Sequence, residues 1–157
     1  MNTKKLLAAA LVFAMLPINY GNAEYEWAKT AVEYCVGRNI LTGHENGDLA
    51  LGDNITREQT AKIMTDAFSL VPSDDAVFSD ITEDRWSYDY IRSFAGCMKK
   101  KTDKFNPTET VTREEFAASL VLASGLTEGN IRNPGILDAN FDDSGKVNSD
   151  YRRLMCI

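Results

Sequence analysis

"TVTREEFAASL" at residues 110–120 restates, in altered form, an earlier stretch, "NITREQTAKIM" at 54–64. Both read as an aliphatic residue, then Thr-Arg-Glu, then an amide or acid and a helix-like run. Thr56 and Thr112 fit the N-cap position. Gln59 and Glu115, three residues on, complete T-x-x-[EQ] capping boxes, in which the Thr oxygen and the N3 side chain satisfy backbone N–H groups reciprocally. Such a cap contributes about 1 kcal/mol, and Val111 with Phe116 fits a hydrophobic staple across the second one. Folding therefore accounts for the Thr and for the fourth residue. It does not account for Arg57 and Arg113, because a cation in the first turn opposes the helix dipole by a few tenths of a kcal/mol. Each Arg asks for a carboxylate. That partner is either an internal acid, such as Asp80 or Asp142, or an external acidic ligand suited to a planar bidentate guanidinium.

The two arginines lie 56 positions apart, and the sequence between them repeats as well. "EWAKTAVEYCVGRNI" (26–40) places Trp27, Ala31, Val32, Cys35 and Val36 at helical spacing, which predicts a helix from about 25 to 37. "LTGHENGDLALGDN" is a loop by composition. A second helix opens at Thr56, carries Ala61, Ile63, Met64, Ala67 and Phe68 on its apolar face, and ends before Pro72. The second copy keeps this order. "VFSDITEDRWSYDYIRSFAGCM" (77–98) brings a Phe-x-Asp-Ile lead-in and then Trp86, Ile91, Phe94 and Ala95 on a helix. "KKKTDKFNPTET" is its loop, and the helix opened by Thr112 runs toward Gly125, a natural C-terminal cap. Trp27 to Leu49 spans 22 positions and Trp86 to Phe105 spans 19, after which both copies take 8 more to reach the Arg. A third copy begins at "NFDDSGKVNSDYRRLMCI", where Phe141, Asp142 and Val147 match the lead-in and Tyr151 and Leu154 start a helix. Repeats of this kind bury their apolar faces against one another.

A Phe-x-Asp lead-in, an aromatic on a first helix, a loop ending in Phe-x-Pro and a Thr-Arg-Glu helix start resemble the S-layer homology (SLH) repeat. "FSDITEDRWSYDYI…KFNPTETVTREEFA" carries that resemblance by itself, and "LTGHENGDLALGDNITREQTA" adds a second copy. The resemblance implies an all-α fold of tandem helix-loop-helix repeats, arranged in a pseudo-threefold bundle that is incomplete here. It divides the chain into repeat 1 at 24–71, repeat 2 at 76–136 and the truncated start of repeat 3 at 137–157. It also implies a non-catalytic module that holds exported proteins on a bacterial surface by binding secondary cell-wall polysaccharide, often through a pyruvate ketal. Arg57 and Arg113 match the ligand-contacting Arg of the family's Thr-Arg-Ala-Glu motif. By resemblance they would grip the ketal carboxylate while aromatic and Gly-loop contacts orient the sugar.

Departures from the family pattern bear on that reading. Glu58 and Glu114 stand where the family usually has Ala, which puts an acid beside each Arg and is expected to weaken binding or alter the glycan preferred. The first repeat lacks the Phe-x-Asp lead-in and has Leu51 where the second has Pro107. Lys99, Lys100 and Lys101 replace loop glycines, as a solvated run or as contacts to an anionic glycan. Trp27 and Trp86 have two readings, sugar-stacking platforms or core packing.

The rest of the chain sets the context. Lys4 and Lys5 precede "LLAAALVFAML" (6–16), an apolar run too short for a membrane span, and Gly21-Asn22-Ala23 offers small residues for cleavage. Residues 1–23 are therefore expected to be a secretory signal peptide, leaving no transmembrane segment and an exported, wall-bound protein. Without those two lysines the 17 basic residues become 15 against 23 acidic, a net of −8. An acidic chain of this kind excludes nucleic acid as a partner, since phosphates demand a basic face. Three cysteines, Cys35, Cys97 and Cys156, without C-x-x-C spacing read as small apolar residues on helices, or as one bridge plus a free thiol.

Two other classes compete with this reading. "NFDDSGKVNSDY" (140–151) places Asn140, Asp142, Ser144, Gly145 and Asn148 at positions 1, 3, 5, 6 and 9 of an EF-hand-like calcium loop, as in dockerin interaction modules. Position 12 is Tyr151 rather than a bidentate acid. For an enzyme, the single His44 lies in a polar loop without a second His or a nucleophile motif. No catalytic residue, metal site or cofactor is expected in these residues, although the module could serve as the N-terminal anchor of a surface enzyme.

Overall fold

The computed structural model describes residues 23–44, 46–98 and 103–157. The leader read at 1–23 lies outside them except for Ala23, as do Lys99, Lys100 and Lys101. The described residues are all-α, with six α-helices, short 3-10 turns and no strand. Among the described residues the one sheet-like feature is an isolated antiparallel bridge between Thr56 and Thr110. No described helix is long and apolar enough to cross a membrane.

The chain divides into two compact units after Asp53. In the first, a 3-10 segment at Ala23–Ala28 leads into α1, Lys29–Gly37. The following loop is pinned by local bonds: the backbone N–H of His44 donates to Asp48 O at 2.8 Å, and the Ala50 N–H donates to the Asp48 carboxylate at 2.9 Å. Gly43 is needed there. Its φ is +67°, and an added Cβ would stand 2.5 Å from Asp48 O, too close for any side chain.

The second unit, Asn54–Ile157, holds α2 (Arg57–Phe68), α3 (Tyr88–Phe94), α4 (Arg113–Ala123), α5 (Ile136–Asn140) and α6 (Ser149–Arg152). Both long helices open with full capping boxes. The Gln59 N–H donates to Thr56 Oγ1 while the Thr56 N–H donates to Gln59 Oε1, and Glu115 and Thr112 exchange the same pair. At the other end of α2, Ser69 adopts a left-handed conformation. The core lies where α2 packs on α3 and on α4, around Ala61, Met64, Phe78, Ile91, Phe94, Phe105 and Val111. Phe78 meets Phe105 edge to face at 5.3 Å. Phe94 and Phe105 are fully enclosed, so truncating either to Ala should cost about 3–5 kcal/mol. A smaller cluster joins Ala118 of α4 to Tyr151 and Leu154.

Cys97 and Cys156 are buried, Cys35 is half-buried, and all three are free thiols. Burial pushes the Cys97 thiol pKa up, away from the reactive thiolate.

Candidate functional site

The two Thr-Arg-Glu turns lie side by side. The Val111 N–H donates to Ile55 O at 3.0 Å, and the N–H groups of Arg57 and Glu58, unpaired within their own helix, donate to Glu109 O and Pro107 O at 2.9 and 3.0 Å. The first turn of α2 is thereby satisfied by the loop that precedes α4, which is where orphan helix N–H groups need acceptors. Asp80, from the Phe-x-Asp lead-in, holds the same loop from behind: it accepts the N–H groups of Phe105 and Asn106 at 2.8 and 2.7 Å. Asn106 takes the left-handed φ of +56°, a conformation Asn tolerates. Burial works to raise the Asp80 pKa, but these backbone bonds and the nearby Lys104 charge outweigh it and hold the carboxyl below its usual range.

Arg57 is buried. Its Nε donates to Phe105 O at 2.6 Å, a terminal nitrogen lies 3.5 Å from Glu115 Oε1, and the guanidinium sits over the Phe105 ring at 5.1 Å. The internal acid it meets is Glu115 of the second copy, rather than Asp80, which is committed to the loop. Glu115 has a double role that the capping pattern alone does not reveal. Its Oε2 closes the cap of α4, while its Oε1 accepts Arg57 and the Tyr151 hydroxyl, the latter at 3.0 Å. Desolvation, together with the hydrogen bond and charge of Glu115, raises the Tyr151 pKa to about 12.

Glu58 is also buried, and it turns away from a ligand role. It accepts a bidentate pair from Arg85, both bonds 2.9 Å, and the Ser87 hydroxyl at 2.6 Å. Glu114 makes the parallel contact in the next copy, accepting the Asn148 N–H at 2.9 Å. The Glu in each copy thus receives the residues that open the next first helix. Sequence reasoning placed these acids beside the arginines, missed Arg85 and Ser87, and read Asn148 only as a position in a calcium loop. Their position just ahead of the next first helix, in both copies, was the available signal.

Arg113, the first residue of α4, is exposed and makes no hydrogen bond or ion pair with any described residue. Trp86 is 55% exposed and tilted against Tyr90, with centroids 6.3 Å apart, and Trp27 is 86% exposed. Neither tryptophan is in the core. The structure therefore separates the four sequence-selected residues: Arg57 lies inside, while Arg113, Trp86 and Trp27 face solvent.

The EF-hand-like segment 140–151 spends its polar groups locally. Ser144 donates to Asp138, which Arg152 also holds, while Asn148 caps α6 by accepting the Asp150 N–H and Tyr151 points at Glu115. No group of three or more His, Cys, Asp or Glu side chains among the described residues is placed to hold a metal ion.

What these residues define is an all-α repeat protein whose copies lock together through the acids of a recurring Thr-Arg-Glu turn. Residues 22–61 and 95–117 match the S-layer homology domain. Over 138 residues the chain is 32% identical to the surface-layer 125 kDa protein of Lysinibacillus sphaericus, a match covering 82% of this chain and 12% of that protein. It is 28% identical over 156 residues to an S-layer protein of Bacillus licheniformis and 27% identical over 156 to S-layer protein EA1 of Bacillus anthracis. The chain spans only 12% to 18% of the length of these relatives. It is an S-layer homology domain protein, and its family and relatives place it at the cell surface.

Proposed function

We propose that this chain is a non-catalytic module that anchors its protein to the cell wall by binding an anionic secondary wall polysaccharide, with a pyruvyl ketal as the group recognised. The observation that carries this reading is Arg113, an exposed and unpaired guanidinium within the matched family segment. It stands at a helix N-terminus, where it opposes the dipole and gains nothing for folding. A carboxylate ligand would supply its missing partner through a charge-assisted, bidentate contact. The chain as a whole is acidic, at −6, so an anionic glycan must be met by such a local charge rather than by the overall field. Trp86, exposed in the same unit, offers a face on which a sugar ring could stack. Arg57 has the same motif position, but its bonds to Phe105 and Glu115 support a role in holding the second loop and α4 in place. The three sequence repeats, 24–71, 76–136 and 137–157, are proposed as the anchoring units. The test is co-sedimentation with wall sacculi before and after acid removes the secondary polysaccharide. Binding that disappears with the polysaccharide supports the anchor; binding that survives extraction refutes it.

A further inference from the structure

We propose that the Asn54–Ile157 unit carries a second subsite, for a neutral sugar residue, in the cleft between the 74–83 segment and α3, apart from both motif arginines. Its ligand class rests on the wall-glycan reading above. The cleft encloses about 300 Å³, the lower bound of small-ligand pockets. Ala76, Phe78 and Ile81 give it a small apolar side, half-buried Tyr88 an aromatic one, and Val77 stands at its mouth, 76% exposed, while polar groups make up the larger share of its surface. Asp74, Glu83 and Arg92 supply its polar groups.

Arg92 decides the chemistry. Its guanidinium lies 5.5 Å over the Tyr88 ring, donates to the Asp74 carboxylate at 2.6 Å and has Asp89 at 4.0 Å. It is already neutralised, unlike Arg113. Set against Asp74 and Glu83, the one Arg leaves the lining with a net negative charge, and Asp89 adds to it. An anionic group is therefore disfavoured here, because the one guanidinium is held by Asp74 and is not free to receive it. A ligand that combines some C–H surface with several hydroxyl donors and acceptors suits a mostly polar cleft of carboxylates and a guanidinium beside Tyr88 and a small apolar side. That ligand is a pyranose without charge. The two sites would then sort one polysaccharide by charge, with its acidic group at Arg113 and a neutral unit at Arg92.

The test is a nitrogen-15 amide NMR titration of the full chain with glucose, N-acetylglucosamine and glucuronate, repeated on Val77→Glu. Position 77 is exposed, so this change blocks the mouth without touching the core. The expected result is saturable shifts at residues 76–78 and 88 with at least one neutral sugar at millimolar concentration, none with glucuronate, and their loss in Val77→Glu. The proposal is overturned by an absence of saturable shifts with both neutral sugars, by equal shifts with glucuronate, or by shifts that persist in the variant. No wall material enters this experiment, so its failure leaves wall binding through Arg113 untouched. Conversely, loss of the wall reading would leave a measured sugar titration standing.

Discussion

Arg57 and Glu115, the second residue of one Thr-Arg-Glu copy and the fourth of the other, face each other inside the protein at 3.5 Å with both side chains at least nine-tenths buried. The twice-written motif therefore has unequal parts. One Arg is consumed in joining the copies, while its counterpart at position 113 is left in solvent.

Arg57→Ala should destabilise the fold by about 3 kcal/mol. Removing one member of a buried pair costs about 3–5 kcal/mol because the other charge is left unpaired, and the long 3.5 Å contact argues for the lower end. Arg113→Ala should change stability by less than about 0.5 kcal/mol, as exposed substitutions do. Urea titrations of both variants check this. Equal midpoints for the two would contradict the division of roles.

Glu58 and Arg85 should be energetically coupled. Their bidentate contact is partly buried and shared with Ser87, and neighbours in one network show coupling of about 0.5–3 kcal/mol. A double-mutant cycle with Glu58→Gln and Arg85→Lys, read by denaturant unfolding, should give a coupling within that range; strict additivity would show that the contact does not hold the second lead-in.

Tyr151 should confer an alkaline sensitivity. Its folded pKa of about 12 lies above the ordinary value of 10.0, so the native state holds the proton more tightly than the unfolded chain. The associated stability is complete below about pH 10 and is lost as the pH rises through 12, amounting to about 2–3 kcal/mol. Stability measured across this window in the parent and in Tyr151→Phe should differ in slope, with the variant flatter. Parallel slopes would contradict the burial of this hydroxyl against Glu115.

Asp80 should act at the acid end. Its folded pKa is depressed, so its contribution is present above the unfolded carboxylate pKa and is lost as the pH falls through the folded one. Asp80→Asn should lower stability near neutrality by about 1.5–3 kcal/mol, the range for charged hydrogen bonds, and flatten the decline below about pH 4. An unchanged acid profile would mean that the Phe105 and Asn106 amides do not depend on this charge.

Much of the fold was legible because its signals are local. The T-x-x-[EQ] spacing specifies where α2 and α4 begin, since caps involve residues within one turn, whereas the apolar periodicity marks α1 and α3 only in their middles: Trp27 lies in the 3-10 segment before α1, and Trp86 and Ala95 flank α3. The pairings among copies were not legible in this way. Whether Arg57 meets Asp80, Asp142 or Glu115 depends on how the turns dock, and the bridge between Thr56 and Thr110 that sets this has no signature within either stretch. The tryptophans show the same limit: Trp86 has a core-compatible position in the sequence, yet Ile91 and Phe94 fill the interior of α3 and leave it half in solvent.

The measurement that tests the account most directly is a binding isotherm of the Arg113→Ala variant on sacculi that retain their secondary polysaccharide, alongside the parent and with folding checked by circular dichroism. Loss of a charge-assisted contact worth about 1.5–3 kcal/mol predicts affinity reduced about ten- to a hundredfold in a fully folded protein. Parent-like affinity in the folded variant would contradict the assignment of Arg113 as the hand that holds the wall.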